Sequence, residues 1–137
     1  AMWCGDWTRI PMGLPGLETL LPIVYTQGVL KKRLTLEEMC RKLSTNPARI
    51  MGLYPRKGVL QVGSDADIAI IHPKKSFAVN PSEMETNADW SPYEGRKLAG
   101  FARTTLSRGE VIVDNYRVVG KEGRGQWLRR TTAGMQR

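Results

Sequence analysis

A pair of carboxylates, one imidazole and two thiols are the first groups in this chain to test for chemistry. Asp65 and Asp67 stand two residues apart and could pass for the paired carboxylates of acid–base work. They bracket the start of a strand, where Asp67 has the plainer use of bonding main-chain amides in the turn. His72 is the only histidine. A zinc site needs about four ligands, so a lone imidazole cannot build one. Its His-Pro context marks it as an exposed strand-end residue. Cys4 and Cys40 have no CxxC spacing, and one pair is not a disulfide framework. Gly120-Lys-Glu-Gly-Arg-Gly125 is glycine-rich, but it lacks Walker spacing and has no amphipathic helix after it. No set of residues here completes a catalytic constellation.

The elements that must position these groups divide the chain into two periods. Residues 1–16 are rich in Gly and Pro and read as a loop. Leu17, Leu20, Leu21, Val24 and Tyr25 recur at helical spacing, which predicts a helix over residues 18–29. Pro22 fits that helix only within its first turn. Thr35-Leu-Glu-Glu38 matches a capping box. Leu36, Met39, Cys40 and Leu43 then form one apolar face, with Cys40 as a small core residue. Asn46-Pro47 reads as the cap and first position of a third helix, which Gly52 ends. Beyond Gly58 the period becomes that of strands. Strands are predicted at residues 66–71, 75–80, 101–106, 111–113 and 116–119, with residues 81–100 as a long loop. Gly109-Glu110 and Asp114-Asn115 are the predicted turns.

Composition bounds the rest. The chain has 137 residues, 41% apolar and 25% charged, which are globular values. A complete (β/α)8 barrel needs roughly 250 residues. Residues 1–95 hold 11 Lys and Arg against 10 Asp and Glu, whereas residues 96–137 hold 10 against 3. Those later cations are scattered, with no run of five and no helical stripe, so a solvated basic surface is expected rather than a nucleic-acid site. No signal peptide and no membrane-length apolar run is visible, so the expected setting is the cytoplasm.

Three blocks carry a resemblance. They are Gly13-Leu-Pro-Gly-Leu-Glu18 with Thr19-Leu-Leu-Pro22, then Asn46-Pro-Ala-Arg-Ile-Met-Gly-Leu-Tyr-Pro-Arg-Lys-Gly58, then Gly63-Ser-Asp-Ala-Asp-Ile68. In that order and spacing they resemble the C-terminal third of the cyclic amidohydrolases, in the dihydropyrimidinase and D-hydantoinase branch. The resemblance implies an α/β chain of incomplete fold. Residues 1–57 would be the last loop and closing helices of a metal-dependent hydrolase barrel. Residues 58–137 would be the C-terminal strands of a composite β-sandwich, followed by a basic tail. It implies a parent enzyme that hydrolyses a small cyclic amide with two zinc ions and works as a homo-oligomer, without nucleic acid or membrane. The metal ligands of that family, four histidines, a carboxylated lysine and an aspartate, have no counterparts here. Asp6 lies too close to the first block to be that aspartate. What the resemblance leaves to this chain is one wall of the substrate pocket: Pro11, Met12 and Gly13. Met12 stands where the family usually has asparagine, whose main-chain N–H and C=O hold the ring. A backbone contact survives that change and a side-chain contact does not. Ser91-Pro-Tyr-Glu-Gly95 recurs in the family as a structural loop. The resemblance admits a second reading, a non-catalytic dihydropyrimidinase-like scaffold or oligomerisation protein.

Overall fold

The computed structural model describes Gly5, Asp6, Thr8 and residues 13–130. The first helix, α1, runs Leu17–Val24 and continues through a π-helical turn, Tyr25–Val29. The helical period is legible in the sequence, but the apolar residues that carry it are not all buried. Leu17 is 94% exposed and Leu20 is half exposed, while Thr19, Pro22 and Tyr25 are buried. Thr19 can be buried because its hydroxyl donates to the Gly16 carbonyl at 3.2 Å. Pro22 lies inside α1, five residues after Leu17 and past the first turn. It leaves the Glu18 carbonyl without its helical donor, and its ring is among the most buried groups in the molecule.

The second helical stretch is continuous where two helices were expected. Helix α2, Leu36–Cys40, starts at the Thr35 capping box: Thr35 Oγ1 accepts from the Glu38 amide, and Glu38 returns to the Thr35 amide at 2.9 Å. A π-helical turn, Arg41–Thr45, joins α2 to helix α3, Asn46–Ile50. Asn46 has helical dihedrals and caps nothing; its amide reaches back to Arg41. The wider turn falls just before Pro47, which has no amide to give. Gly52, at φ 66°, closes the stretch as expected. The Leu53 amide bonds Ala48 and the Gly52 amide bonds Arg49, a Schellman arrangement. Met39 is buried and Leu43 half-buried, but Cys40 is exposed, so it is not the core residue expected. One residue along a helix turns the side chain through about 100°, away from the Met39 line.

Two antiparallel sheets follow. The larger has the order β1-β4-β5-β6, with β1 Ile68–Ile71, β4 Ala102–Ser107, β5 Glu110–Asp114 and β6 Arg117–Val118. The smaller pairs β2, Ser76–Ala78, with β3, Lys97–Ala99. Strand β3 lies in what reads as loop, because three residues show no alternation. Its Leu98 is nonetheless among the most buried apolar side chains, at 1% exposure. Both hairpin loops of the larger sheet have two residues at positive φ: Arg108 and Gly109, then Asn115 and Tyr116. This is the turn whose twist matches the strands it joins.

The core is small and joins the two periods. Tyr25, Met39 and Ala99 form it, with Leu21, Val24, Leu43 and Ile71 packed around them. Thr26 ties the π-helical turn to β3 through both main-chain groups of one residue. Its hydroxyl donates to the Ala99 carbonyl at 3.1 Å and accepts from the Ala99 amide at 2.9 Å. Gly100, at φ 84°, then passes beneath Tyr25, where an added Cβ would lie 2.4 Å from the ring. Gly100→Ala is expected to be among the most damaging single changes. It combines a left-handed backbone cost of about 1–2 kcal/mol with an overpacking cost of about 1–3 kcal/mol. Gly13→Ala, at φ 84° with no atom within 4 Å, meets only the backbone cost. Denaturant midpoints of the two variants check this, with Gly100→Ala clearly the lower.

Candidate functional site

The residues named from the sequence do not converge. Pro11 and Met12 lie outside the described residues. Gly13 is exposed at φ 84°, in a bend four residues before α1. Asp6 is an exposed turn residue: its Oδ1 accepts from the Thr8 hydroxyl at 2.7 Å and the Thr8 amide at 3.0 Å. The Thr8 hydroxyl first, and its amide second, hold that carboxyl below the usual range. His72 ends β1 half-buried rather than exposed, and its Nδ1 accepts from the Lys75 amide at 3.2 Å. Among the described residues no three His, Cys, Asp or Glu side chains come together as a metal site would require.

Asp65 and Asp67 do meet other charged groups, in a structural clamp. Lys57 Nζ lies 2.9 Å from Asp65 Oδ2 and also pairs with Asp67 Oδ2. Arg56 Nε bonds the same Asp65 oxygen at 3.0 Å. The other oxygen of Asp67 accepts from the Arg108 amide at 2.8 Å. Asp67 thus bonds a main-chain amide as expected, but in the β4–β5 turn rather than in its own. The clamp joins the loop after the helices, the start of β1 and the tip of a hairpin. Hydrogen bonds from Lys57, then from Arg56, hold the Asp65 carboxyl low against the cost of burial. Burial opposes ionisation of Asp67 most, but Lys57 and the Arg108 amide together outweigh it and lower its pKa too. Lys57 is raised, because its two carboxylates outweigh its own desolvation.

One concavity stands beside the Gly13 bend, a cleft of 810 Å³ beneath α1. Leu14–Glu18 form one wall, beginning with the residue after Gly13; Gly13 itself does not line it. Phe77, Phe101 and Tyr116 form an aromatic floor, and Glu83 and Glu85 stand on the far side. The Glu18 carboxylate spans the opening and accepts from the Glu85 amide at 3.0 Å. The lining holds no His, Cys, Lys or Arg. It offers shape and apolar surface, with no nucleophile and no base paired to one. Periodicity could not have located this cleft, since its walls come from segments some 60–100 residues apart in sequence.

Comparison with known proteins gives consistent results. The amidohydrolase family pattern matches residues 14–113. The D-phenylhydantoinase of Escherichia coli K12 is 44% identical over 126 residues, covering 92% of this chain but 27% of that protein. A crystal structure of D-hydantoinase superposes with a TM-score of 0.91 at 38% identity, over 96% of this chain and 28% of that one. The dihydropyrimidinase of Brevibacillus agri gives 0.89 at 35% identity, over 93% and 28%. The chain therefore spans little more than a quarter of the length of these relatives.

The clamp gives a local expectation. Asp67→Ala removes the acceptor from the Arg108 amide, a loss worth about 1 kcal/mol for such a bond. Hydrogen exchange at Arg108 should quicken by several-fold, with little change at the Leu53 amide. In the wild-type chain both carboxyl pKa values are lowered. Their contribution is therefore complete above the unfolded value near 3.9 and is lost as pH falls through the folded values. Lys57 acts at the other end. Its contribution is complete below about 10.4 and lost as pH rises through its raised folded value. Protection of the Arg108 amide, corrected for intrinsic exchange, should persist to about pH 4 and fall below it.

Proposed function

The chain belongs to the amidohydrolase family, and from that premise we propose that it is part of a hydantoinase-type hydrolase. Such an enzyme opens a small cyclic amide at a carbon–nitrogen bond other than a peptide bond. The likeness to hydantoinases across more than nine-tenths of the chain supports this. Residues 1–57 are the last loop and closing helices of a metal-dependent barrel, and residues 58–137 are the C-terminal strands of a β-sandwich with its basic tail. The change of period near Lys57 supports that division, as does the clamp which fastens Lys57 to the first strand. The protein works in the cytoplasm as a homo-oligomer, without nucleic acid or membrane. Among the described residues no helix is long and apolar enough to cross a membrane.

Two bound zinc ions would lower the pKa of a water toward 7 and polarise the amide carbonyl. The described residues do not fit such a site; in this reading its ligands come from the rest of the parent. This chain's own part is to present backbone to the ring. Pro11, Met12 and Gly13 form that wall, and the left-handed Gly13 lets the main chain approach closely. The second reading, a non-catalytic scaffold, is favoured only by Met12 at the position where the family usually has asparagine.

Replacing the matched segment of the E. coli D-phenylhydantoinase with this chain tests the proposal. The chimera should hydrolyse a phenylhydantoin within about a hundredfold of the intact relative. A folded, metal-loaded chimera without turnover would favour the scaffold. The chain by itself is expected to hold no stoichiometric zinc after dialysis and to hydrolyse neither hydantoin nor dihydrouracil; metal analysis showing a tightly held zinc ion would contradict this. In the chimera, Met12→Asn should change kcat/KM for a hydantoin by less than about tenfold, or roughly 1.4 kcal/mol, if recognition runs through the backbone. A gain of about a hundredfold or more would place recognition in the side chain.

A further inference from the structure

Outside the clamp and the cleft, one titratable side chain holds a turn in place. His72 follows β1 and is half-buried; Pro73 and Lys74 carry the chain to Lys75, one residue before β2. The His72 amide donates to the Phe101 carbonyl at 3.4 Å. Its imidazole Nδ1 accepts from the Lys75 amide at 3.2 Å. An amide nitrogen can only donate, so Nδ1 carries no proton and the ring is neutral, with its hydrogen on Nε2. A histidinium is a donor at both nitrogens and cannot make this bond. The turn leads to the joint between the two halves of the molecule. Ser76 follows Lys75 and pairs with Ala99 across the smaller sheet. Ala99 is the residue whose amide and carbonyl both bond the Thr26 hydroxyl. Lys75 also sets its Nζ 4.9 Å over the Phe77 ring and 4.8 Å over the Tyr116 ring. One residue thus has its amide fixed by His72 and its ammonium by two aromatic faces.

The charge on the elements that meet this turn is mostly positive. The turn itself carries Lys74 and Lys75. Strand β4 brings Arg103 next to Ala102, the partner of Ile71. Tyr116 joins that strand through its amide, which donates to the Arg103 carbonyl at 3.0 Å. Carboxylates on the neighbouring elements are engaged elsewhere. Asp114 accepts from the Thr104 hydroxyl at 3.5 Å, and Glu38 from the Thr35 amide at 2.9 Å. Among the described residues no carboxylate forms an ion pair with His72. A proton added to the imidazole makes three cations within residues 72–75 and no anion among them. The lost hydrogen bond and the added repulsion act in the same direction.

We propose that His72 is a proton-controlled catch on the smaller sheet. With a neutral ring it holds the turn into β2. With a protonated ring it releases the Lys75 amide and loosens the Ser76–Ala99 pairing that Thr26 fastens to the helical half. The change belongs to the range in which imidazoles gain charge, about pH 5–8. The carboxylates of the Lys57 clamp respond near and below about pH 4, so the two effects are separable. The proposal is independent of the hydrolase reading. It rests on bonds within residues 26–116 and on no open surface.

Amide hydrogen exchange on the full chain, read residue by residue from about pH 8 to about pH 5 and corrected for intrinsic exchange, tests it. Protection at Lys75 should fall about threefold or more as pH drops, and protection at Ala99 should fall with it. His72→Asn keeps a side-chain acceptor that does not titrate. In that variant Lys75 and Ala99 should stay level over the same range. The Arg108 amide, held by Asp67, should stay level in both proteins and is the internal control. Constant Lys75 protection in the wild-type chain overturns the proposal, as does an equal fall in His72→Asn. So does a loss at Lys75 that leaves Ala99 unchanged. Should the variant fail to fold, the nitrogen-15 shifts of the wild-type imidazole decide. An unprotonated Nδ1 in the neutral ring is the expected result, and a neutral ring with its hydrogen on Nδ1 overturns the proposal.

Discussion

A single hydroxyl holds the two halves of this molecule in register. Thr26 donates to the Ala99 carbonyl and accepts from the Ala99 amide, so one side chain satisfies a strand residue that would otherwise lack a partner on that edge. The bond is possible only because Gly100 turns the chain beneath Tyr25 without a side chain. Its position also follows from the π-helical turn at Tyr25–Val29, which widens the helix where it meets β3. If Thr26 moved away from Ala99, Tyr25 would lose its bed and the core of Tyr25, Met39 and Ala99 would open. The helical half and the strand half would then be joined mainly by polar contacts, the clamp at Lys57 and the bond from the Glu85 amide to Glu18.

That clamp is the second fastening, and it is polar. Lys57, Asp65 and Asp67 are partly exposed, so each pair alone contributes little. Their importance is geometric. Asp67 spends one oxygen on Lys57 and the other on the Arg108 amide, so a single side chain fixes both the start of β1 and the tip of the β4–β5 hairpin. The hairpin loop at Arg108 and Gly109 needs positive φ at both positions. An acceptor waiting at Asp67 helps hold that loop, where Arg108 has no glycine's freedom.

The sequence disclosed local features well and long-range ones poorly. The capping box at Thr35 and the glycine stop at Gly52 were legible because each is settled within a few residues. The strands β4 and β5 were legible because β-branched residues cluster there between turn signals. What escaped notice depends on contacts distant in sequence. Strand β3 is three residues long and exists because β2 pairs with it across an eighteen-residue loop. The buried face of α1 passes through Thr19 and Pro22 because Gly16 satisfies the Thr19 hydroxyl. Nothing in a hydrophobicity pattern favours a threonine and a proline over Leu17. Spacing alone places Cys40 in the core, yet the helix turns it away from Met39. For the candidate site, glycine chemistry identified the Gly13 bend. The cleft beside it was invisible, since its walls gather only when α1 packs against β3, beside strands of both sheets.

The balance of buried and exposed apolar groups explains why such specific fastenings matter. Few side chains are fully buried, while Leu17, Ile50, Leu60, Val62 and Trp127 are all more than 70% exposed. A chain of this length buries proportionally less of its surface than a large domain does. Hydrogen bonds with fixed partners, at Thr26, Asp67, Thr35 and Glu18, carry the orientation that a larger core would otherwise impose. The determinants of this segment's shape are internal to it: caps, turns with positive φ, and side chains that bond distant peptides. Its exposed apolar surface is what remains available for contacts with other polypeptide.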